Sequence, residues 1–476
     1  MKIKSIFLTF LAVLVFSACN NEALSPVPDA EGKVEGYLIL NLVNPVNTRT
    51  SGSGNTSTDQ GTTQENTINN LTVVFANSSG NILSVANPGI TNKVSEIFRV
   101  EVGTYDVYAL INNAIDIKVG QNIEQVITVA AAAEATSGYK SGSFFMVNKR
   151  NSSSEKAGIE TTIGLEHTIN SPAVVEIYVD RVACKISDET ASPDISALVV
   201  AAGGLVDDVD VVGFAILNVN KKFNLIQTWN EDNGSGMLLS EEILSTPLYT
   251  GALVADNYFL NIGEYTTLTK DNGEITGITD NTVGKSDIFV KSPVYTTENR
   301  PTVINAGASG ITSGRGETTG VIYKVQAKKG GVNAETFYSY NNELYSNIAE
   351  IQALPDFESQ VLSTLNSSQL RAHGINVYED GVMYYSYFIR DPNLAHQYES
   401  ENYYGVFRNS SYKLSINKIS SLGDDVPGGA KVDPTEPGEP GEPGGPDNPP
   451  IDTLEAYIKV TIEVNPWIVN VIGIDF

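Results

Sequence analysis

The chain is 476 residues long, enough for two or three domains that each bury a core. Its formal charge of −26, from 56 acidic and 30 basic residues, speaks against nucleic acid as a partner, because phosphate binding needs concentrated lysine and arginine. Glycine, threonine, valine, isoleucine and tyrosine are plentiful and long helical periodicities are scarce, which predicts an all-β chain of many short strands.

The N-terminus reads as a targeting segment. Lys2 and Lys4 precede an apolar run at 6–16 that is too short to span a membrane as a mature helix. The run ends in Phe16, Ser17, Ala18 and Cys19, which looks like a lipobox. On that reading small residues let a lipoprotein peptidase close on the bond, and the Cys19 thiol carries the lipid. The competing reading is an ordinary signal peptide that contains a cysteine. With Cys19 lipidated, Cys184 has no disulfide partner and reads as an inert core thiol in the strand-like stretch 174–186. A polar tether follows at 20–32.

Residues 34–43 alternate as a strand, and 44–63 are rich in Gly, Ser and Thr, as in an exposed loop open to proteases. Arg49 is the only basic residue in that loop. It is either a solvated arginine in a linker or the site of an arginine-specific protease, whose cut would split 34–43 from everything after it. Further strands are predicted at 71–76, 81–85, 97–102, 105–111, 143–147 and 161–165, ending with 174–186. The alanine-rich stretch 120–135 reads as a helix. Short strands with polar turns at this spacing suggest a β-sandwich. After a polar join at 187–196, a second unit begins near Val206. Strands 211–217 and 223–229 flank 218–222 as a hairpin. Later strands are predicted at 287–295, 320–327, 381–389 and 411–417, with short helices within 338–350 and 357–373. No repeat of fixed period is present.

Residues 427–450 are rich in proline, glycine and glutamate and predict an extended spacer of roughly 3 Å per residue. Beyond it, 457–476 reads as a strand with no partner in reach. Ile458, Val460, Ile462 and Val464 line one face of it, and Trp467, Ile468, Ile474 and Phe476 continue the apolar character. Such a strand is an aggregation hazard unless it has a destination, the simplest being a groove in another copy.

Signs of catalysis are missing. His167, His373 and His396 have no metal-ligand spacing, and no nucleophile elbow or phosphate-binding glycine loop is present. Asp424 and Asp425 read as a solvated turn rather than calcium ligands. Tyr384, Tyr385, Tyr387 and Phe388 put aromatic rings on both faces of one strand; a carbohydrate platform competes there with core packing plus a subunit contact. The expectation is a non-enzymatic chain without cofactor or metal.

Several stretches resemble the Bacteroidales fimbrillins, or type V pilins, most closely the stalk subunit of short fimbriae. They are 384–388, 406–423, the shorter 295–299, the proline-rich spacer, and the ending from Val464, Asn465, Pro466 and Trp467 to Ile474, Asp475 and Phe476. The resemblance implies two β-sandwich domains (transthyretin-like, Greek-key) in tandem. The implied boundaries are a lipoprotein signal peptide at 1–19, a propeptide at 20–49 with a removable strand at 34–43, an N-terminal domain at 50–189, a C-terminal domain at 190–426, a spacer at 427–453 and a donor strand at 454–476. It also implies export as a lipoprotein with a lipid such as palmitate on Cys19, passage to the outer membrane and cell surface, and a mature form in the fimbrium. An arginine-specific protease would cut between Arg49 and Thr50. The partners implied are further copies of the chain, accessory anchor and tip subunits, and host or bacterial receptors, in the service of adhesion and biofilm formation. The alternatives are an accessory or tip subunit, or a monomeric surface lipoprotein that binds glycans.

The exchange is physically self-consistent. Donor and acceptor are different surfaces of one molecule, so the contact is heterologous and propagates as an open filament. Four to six buried apolar side chains at about 1.5–3 kcal/mol each offset the ordering of the strand, and Trp467 is the expected anchor.

Overall fold

The computed structural model describes residues 35–43, 61–113, 115–129, 143–149, 156–220, 222–227, 258–259, 269–271, 274–276, 289–299, 303–305, 311–313, 318–390, 404–427 and 468–475. Its elements are almost all strands, with three short α-helices among these residues (Ser196–Ala201, Ile348–Gln352 and Ser367–Ala372), so the fold is all-β as expected.

The N-terminal strands are β1 (Glu35–Val43), β2 (Leu71–Ala76), β3 (Ile82–Ala86), β4 (Ile90–Thr91), β5 (Val94–Ser95), β6 (Phe98–Glu101), β7 (Gly103–Ile111), β8 (Ile127–Val129), β9 (Met146–Asn148), β10 (Ile159–Ile163) and β11 (Ala173–Arg181). They form a ten-stranded sheet in the order β3-β2-β7-β9-β11-β1-β5-β4, with β10 added to β7 and β6 to β1; β8 lies outside it. Successive residues of β2 and β7 serve opposite faces. Val73, Phe75, Val107 and Ala109 enter one core, while Val74, Ala76, Tyr108 and Leu110 enter another. Burial on both faces explains why these strands read as continuous apolar runs.

The chain passes from β11 through the buried Val182 into β12 (Ala183–Asp188), which pairs in a different sheet. That sheet runs Val294–Thr297, β12, Ser410–Lys418, Ile468–Asp475. A third sheet pairs β13 (Asp208–Leu217) with Gly320–Lys329, and the latter with Val382–Phe388. These two sheets share a core containing Cys184, Phe214, Tyr323, Tyr385 and Tyr412. Between Gly320–Lys329 and Val382–Phe388 the chain builds a small unit of three strands and short helices around Ile351, Phe357, Leu362 and Leu370. The helix predicted within 357–373 occurs as Ser367–Ala372, closed by an Asn366–Gln369 capping box, whereas 338–350 is mostly strand (Phe337–Tyr340 and Glu343–Tyr345) and the helix Ile348–Gln352 only begins at its end.

Three local expectations are corrected. The stretch 120–135 is no α-helix over its described part: Asn122 caps a single 3-10 turn at Ile123–Gln125, and β8 then pairs with Lys222–Asn224. The hairpin across 218–222 does not form either. Its first strand pairs with Gly320–Lys329 through nine residue pairs, a longer apolar partner than the three-residue strand that follows. Asp425 is not in a solvated turn: it is buried and accepts from Arg371 Nε at 2.6 Å and from the Val377 amide at 2.7 Å. The aromatic strand 384–388 is interior. Tyr385, Tyr387 and Phe388 are buried, and Tyr384 packs on Phe289 at 5.7 Å between ring centroids. Burial pushes the Tyr384 hydroxyl up to about 12.

Candidate functional site

Two strands stand out, one at each end of the chain. β1 lies between two partners. It runs parallel to β11 from Leu38↔Ala173 to Val43↔Tyr178, and antiparallel to β6 from Glu35↔Glu101 to Leu38↔Phe98. Leu38, Leu40 and Leu42 point into the core and are at most 4% exposed. At about 1.5–3 kcal/mol for each buried leucine, this face contributes on the order of 5–9 kcal/mol. Side contacts complete the enclosure. The Leu40 amide donates to Ser95 Oγ at 2.9 Å, Leu42 N to Lys93 O at 2.8 Å, and Tyr37 N to His167 O at 2.9 Å.

At the other end, Ile468–Asp475 pairs in parallel with Ser410–Lys418 of the same chain. This corrects the expectation of a tail without a partner in reach. The apolar strand finds an edge in its own molecule, and among the described residues it is paired on one side. Of the predicted donor positions, Ile468 and Ile474 lie in this strand. Ile458, Val460, Ile462, Val464, Trp467 and Phe476 lie outside the described residues, as do Cys19, Arg49, Thr50 and the segment 428–467.

Between the two ends lies a buried polar junction that inspection of the sequence missed. Glu65, which follows the segment 44–60, is 2% exposed. It receives Lys185 Nζ at 2.8 Å, the Tyr295 hydroxyl at 2.6 Å and the Thr62 amide at 2.6 Å. Burial alone raises the Glu65 carboxyl, but the hydrogen bonds from Lys185, Tyr295 and Thr62 outweigh it and hold the group below its ordinary value. Arg181 donates from Nε to Glu65 O at 3.0 Å, reaches Asn66 Oδ1, and donates to Asn409 Oδ1 at 3.0 Å. Nearby, buried Arg408 pairs with buried Glu298 and donates to the carbonyls of Leu225 at 3.0 Å and Asn224 at 2.7 Å. The only sequence signal was indirect: Tyr295, Glu298, Arg408 and Asn409 fall inside stretches quoted above for the fimbrillin resemblance, without any pattern that marks them as partners.

Residues 376–472 match the family model described as major fimbrial subunit protein type IV, fimbrillin, C-terminal. The resemblance read from the sequence is therefore borne out over the C-terminal part of the chain, which carries the fimbrillin signature. Among solved structures the chain is similar to a fimbrilin of Porphyromonas gingivalis W83, at 13% identity over 92% of this chain and 96% of that one, with a TM-score of 0.38. It is also similar to the tip fimbrial protein Mfa3 of Porphyromonas gingivalis, at 11% identity over 81% and 95%, TM-score 0.32. A fimbrial assembly protein of Parabacteroides distasonis gives 13% identity over 66% and 85%, TM-score 0.29. No curated protein matches the chain.

Proposed function

We propose that the protein is a pilin: a structural subunit of surface fimbriae that polymerises by protease-triggered strand exchange and supports adhesion. The observation that carries this is the enclosure of β1. Its three leucines fill a core to which residues 50–189 also contribute, yet a loop with a single arginine joins it to them. Cleavage after Arg49 frees β1 to leave, and its departure exposes an apolar groove flanked by the ladder edges of β11 and β6. The C-terminal strand of another copy is the matching occupant. On its own sheet it has one ladder among the described residues; in the groove, as β1 does, it has two. Exchange therefore adds a row of backbone hydrogen bonds, which favours the strand leaving its own edge.

On this reading, Cys19 carries the lipid that holds the precursor at the outer membrane until cleavage. Residues 50–189 and 190–426 are the two sandwich domains, and 427–453 is the reach between subunits. Anchor and tip subunits end the filament. An accessory or tip role fits less well, because a tip has no use for an outward-pointing donor strand. The glycan-binding alternative loses its platform, since Tyr385 and Tyr387 are core residues and the half-buried Tyr384 packs on Phe289.

The test is to treat purified precursor with an arginine-specific protease and look for ladders on gels and filaments by electron microscopy. Cut protein that stays monomeric overturns the proposal.

A further inference from the structure

We infer that the incoming strand runs opposite to β1, keyed by one glycine: Gly473 of one copy takes the place of Gly36 of the next. This rests on the exchange proposed above and adds its polarity and register. Four core-facing positions of β1 define the groove, and the first differs from the other three. A Cβ built on Gly36 would lie 2.6 Å from Ile163 Cγ2 and 2.8 Å from the Gly164 carbonyl oxygen, well inside ordinary contact. The neighbouring Tyr37 amide is held by His167 O at 2.9 Å, so the backbone of 164–167 closes against the strand at this end. The groove thus accepts three apolar side chains and then bare backbone.

The tail 454–476 contains one glycine, Gly473. Laid in the direction of β1 with Gly473 at the Gly36 position, it would bring the charged Asp475 to the buried, apolar Leu38 position. Laid in reverse, Val471, Val469 and Trp467 follow at the Leu38, Leu40 and Leu42 positions. The larger indole then falls at the end of the groove where β1 leaves the sheet at Val43. The competing stretch, run in the direction of β1, places Ile458, Val460 and Ile462 at the three leucine positions but Ala456 at the first. Its Cβ would sit against a backbone oxygen that has no rotamer to escape into. Reversal also turns the long ladder with β11 from parallel to antiparallel, the more stable pairing per residue, while the shorter ladder with β6 changes the other way.

Position 39 of β1 separates the two registers. Ile39 pairs with Val174 on β11, and Val174 is 62% exposed on the outer face. In the reversed register Asn470 of the donor copy occupies that position; in the forward register Lys459 does. Directly opposed strand residues lie within the Cα separation that a disulfide bridges, about 4.4–6.8 Å. Full-length precursors carrying Val174→Cys with either Asn470→Cys or Lys459→Cys are cut with the arginine-specific protease, oxidised and run without reductant. The expected result is a covalent ladder from the Asn470 pair and none from the Lys459 pair. A ladder from the Lys459 pair, or from neither while filaments form, overturns the register and leaves the polymerisation standing. Absence of filaments from the unsubstituted cut protein overturns the exchange and the register together. Gly473→Val gives a second readout: filaments are lost while thermal unfolding of the uncut precursor still shows a folded chain. Normal filaments from that variant overturn the glycine key.

Discussion

Arg408 and Glu298 form an ion pair removed from solvent, with the guanidinium also held by two backbone carbonyls. Two charges in such a place stabilise little as a pair, but stranding one of them is expensive. Arg408→Met is therefore expected to lower unfolding stability by about 3–5 kcal/mol, read from the denaturant midpoint at constant slope. Glu65 gives a pH dependence. Its carboxyl is held below the ordinary value in the folded protein, so the unfolded chain binds that proton more readily. The stability it contributes is complete above the ordinary carboxylate range and disappears as pH falls through the depressed folded value. Denaturant midpoints measured from about pH 7 to about pH 3 are expected to fall more steeply in the native protein than in Glu65→Gln. Equal slopes would show that this carboxylate is not the linked group. None of these partners was legible in the sequence, because residues 65, 185 and 295 meet only once a 3-10 turn and two strands distant in sequence are brought together.

At the scale of elements, β1 was legible from its alternation, and the structure forms it at Glu35–Val43. Its inward leucines predict an asymmetry between precursor and polymer. Leu40→Ala is expected to destabilise the uncut precursor by about 2–5 kcal/mol, through lost burial and the cavity left behind. It should leave the thermal stability of assembled filaments unchanged, since on the proposed exchange the mature subunit has lost β1; a matching loss in filaments would place β1 in the polymer. For the C-terminal strand, deletion of residues 468–476 removes one edge ladder from the precursor. The shortened precursor is expected to stay folded by circular dichroism and to form no filaments after cleavage. What misled the reading of 211–229 as a hairpin was sequence proximity. The neighbour was outcompeted by Gly320–Lys329, a hundred residues away, because a longer apolar strand buries more. The stretch 120–135 failed for a similar reason: alanine propensity is a weak prior, and over Ile127–Val129 a strand partner overrode it.

At the scale of the molecule, assembly is expected to hinge on one bond. Arg49→Ala should leave the precursor folded and block filament formation on protease treatment, by gel and microscopy; normal filaments from it would move the cut elsewhere. Composition and periodicity alone determined that the chain is all-β, that an apolar strand lies at each end, and that a polar loop with one arginine and a proline-rich spacer set those strands apart. These properties reside in the order of residues along the chain. The tertiary structure decided what each strand touches. It placed β1 between β11 and β6 rather than at an edge, laid the C-terminal strand on its own sheet, and made Gly36 a position where only backbone fits. Those outcomes depend on which distant surfaces close around a strand, and that follows from packing rather than from the strand's own sequence.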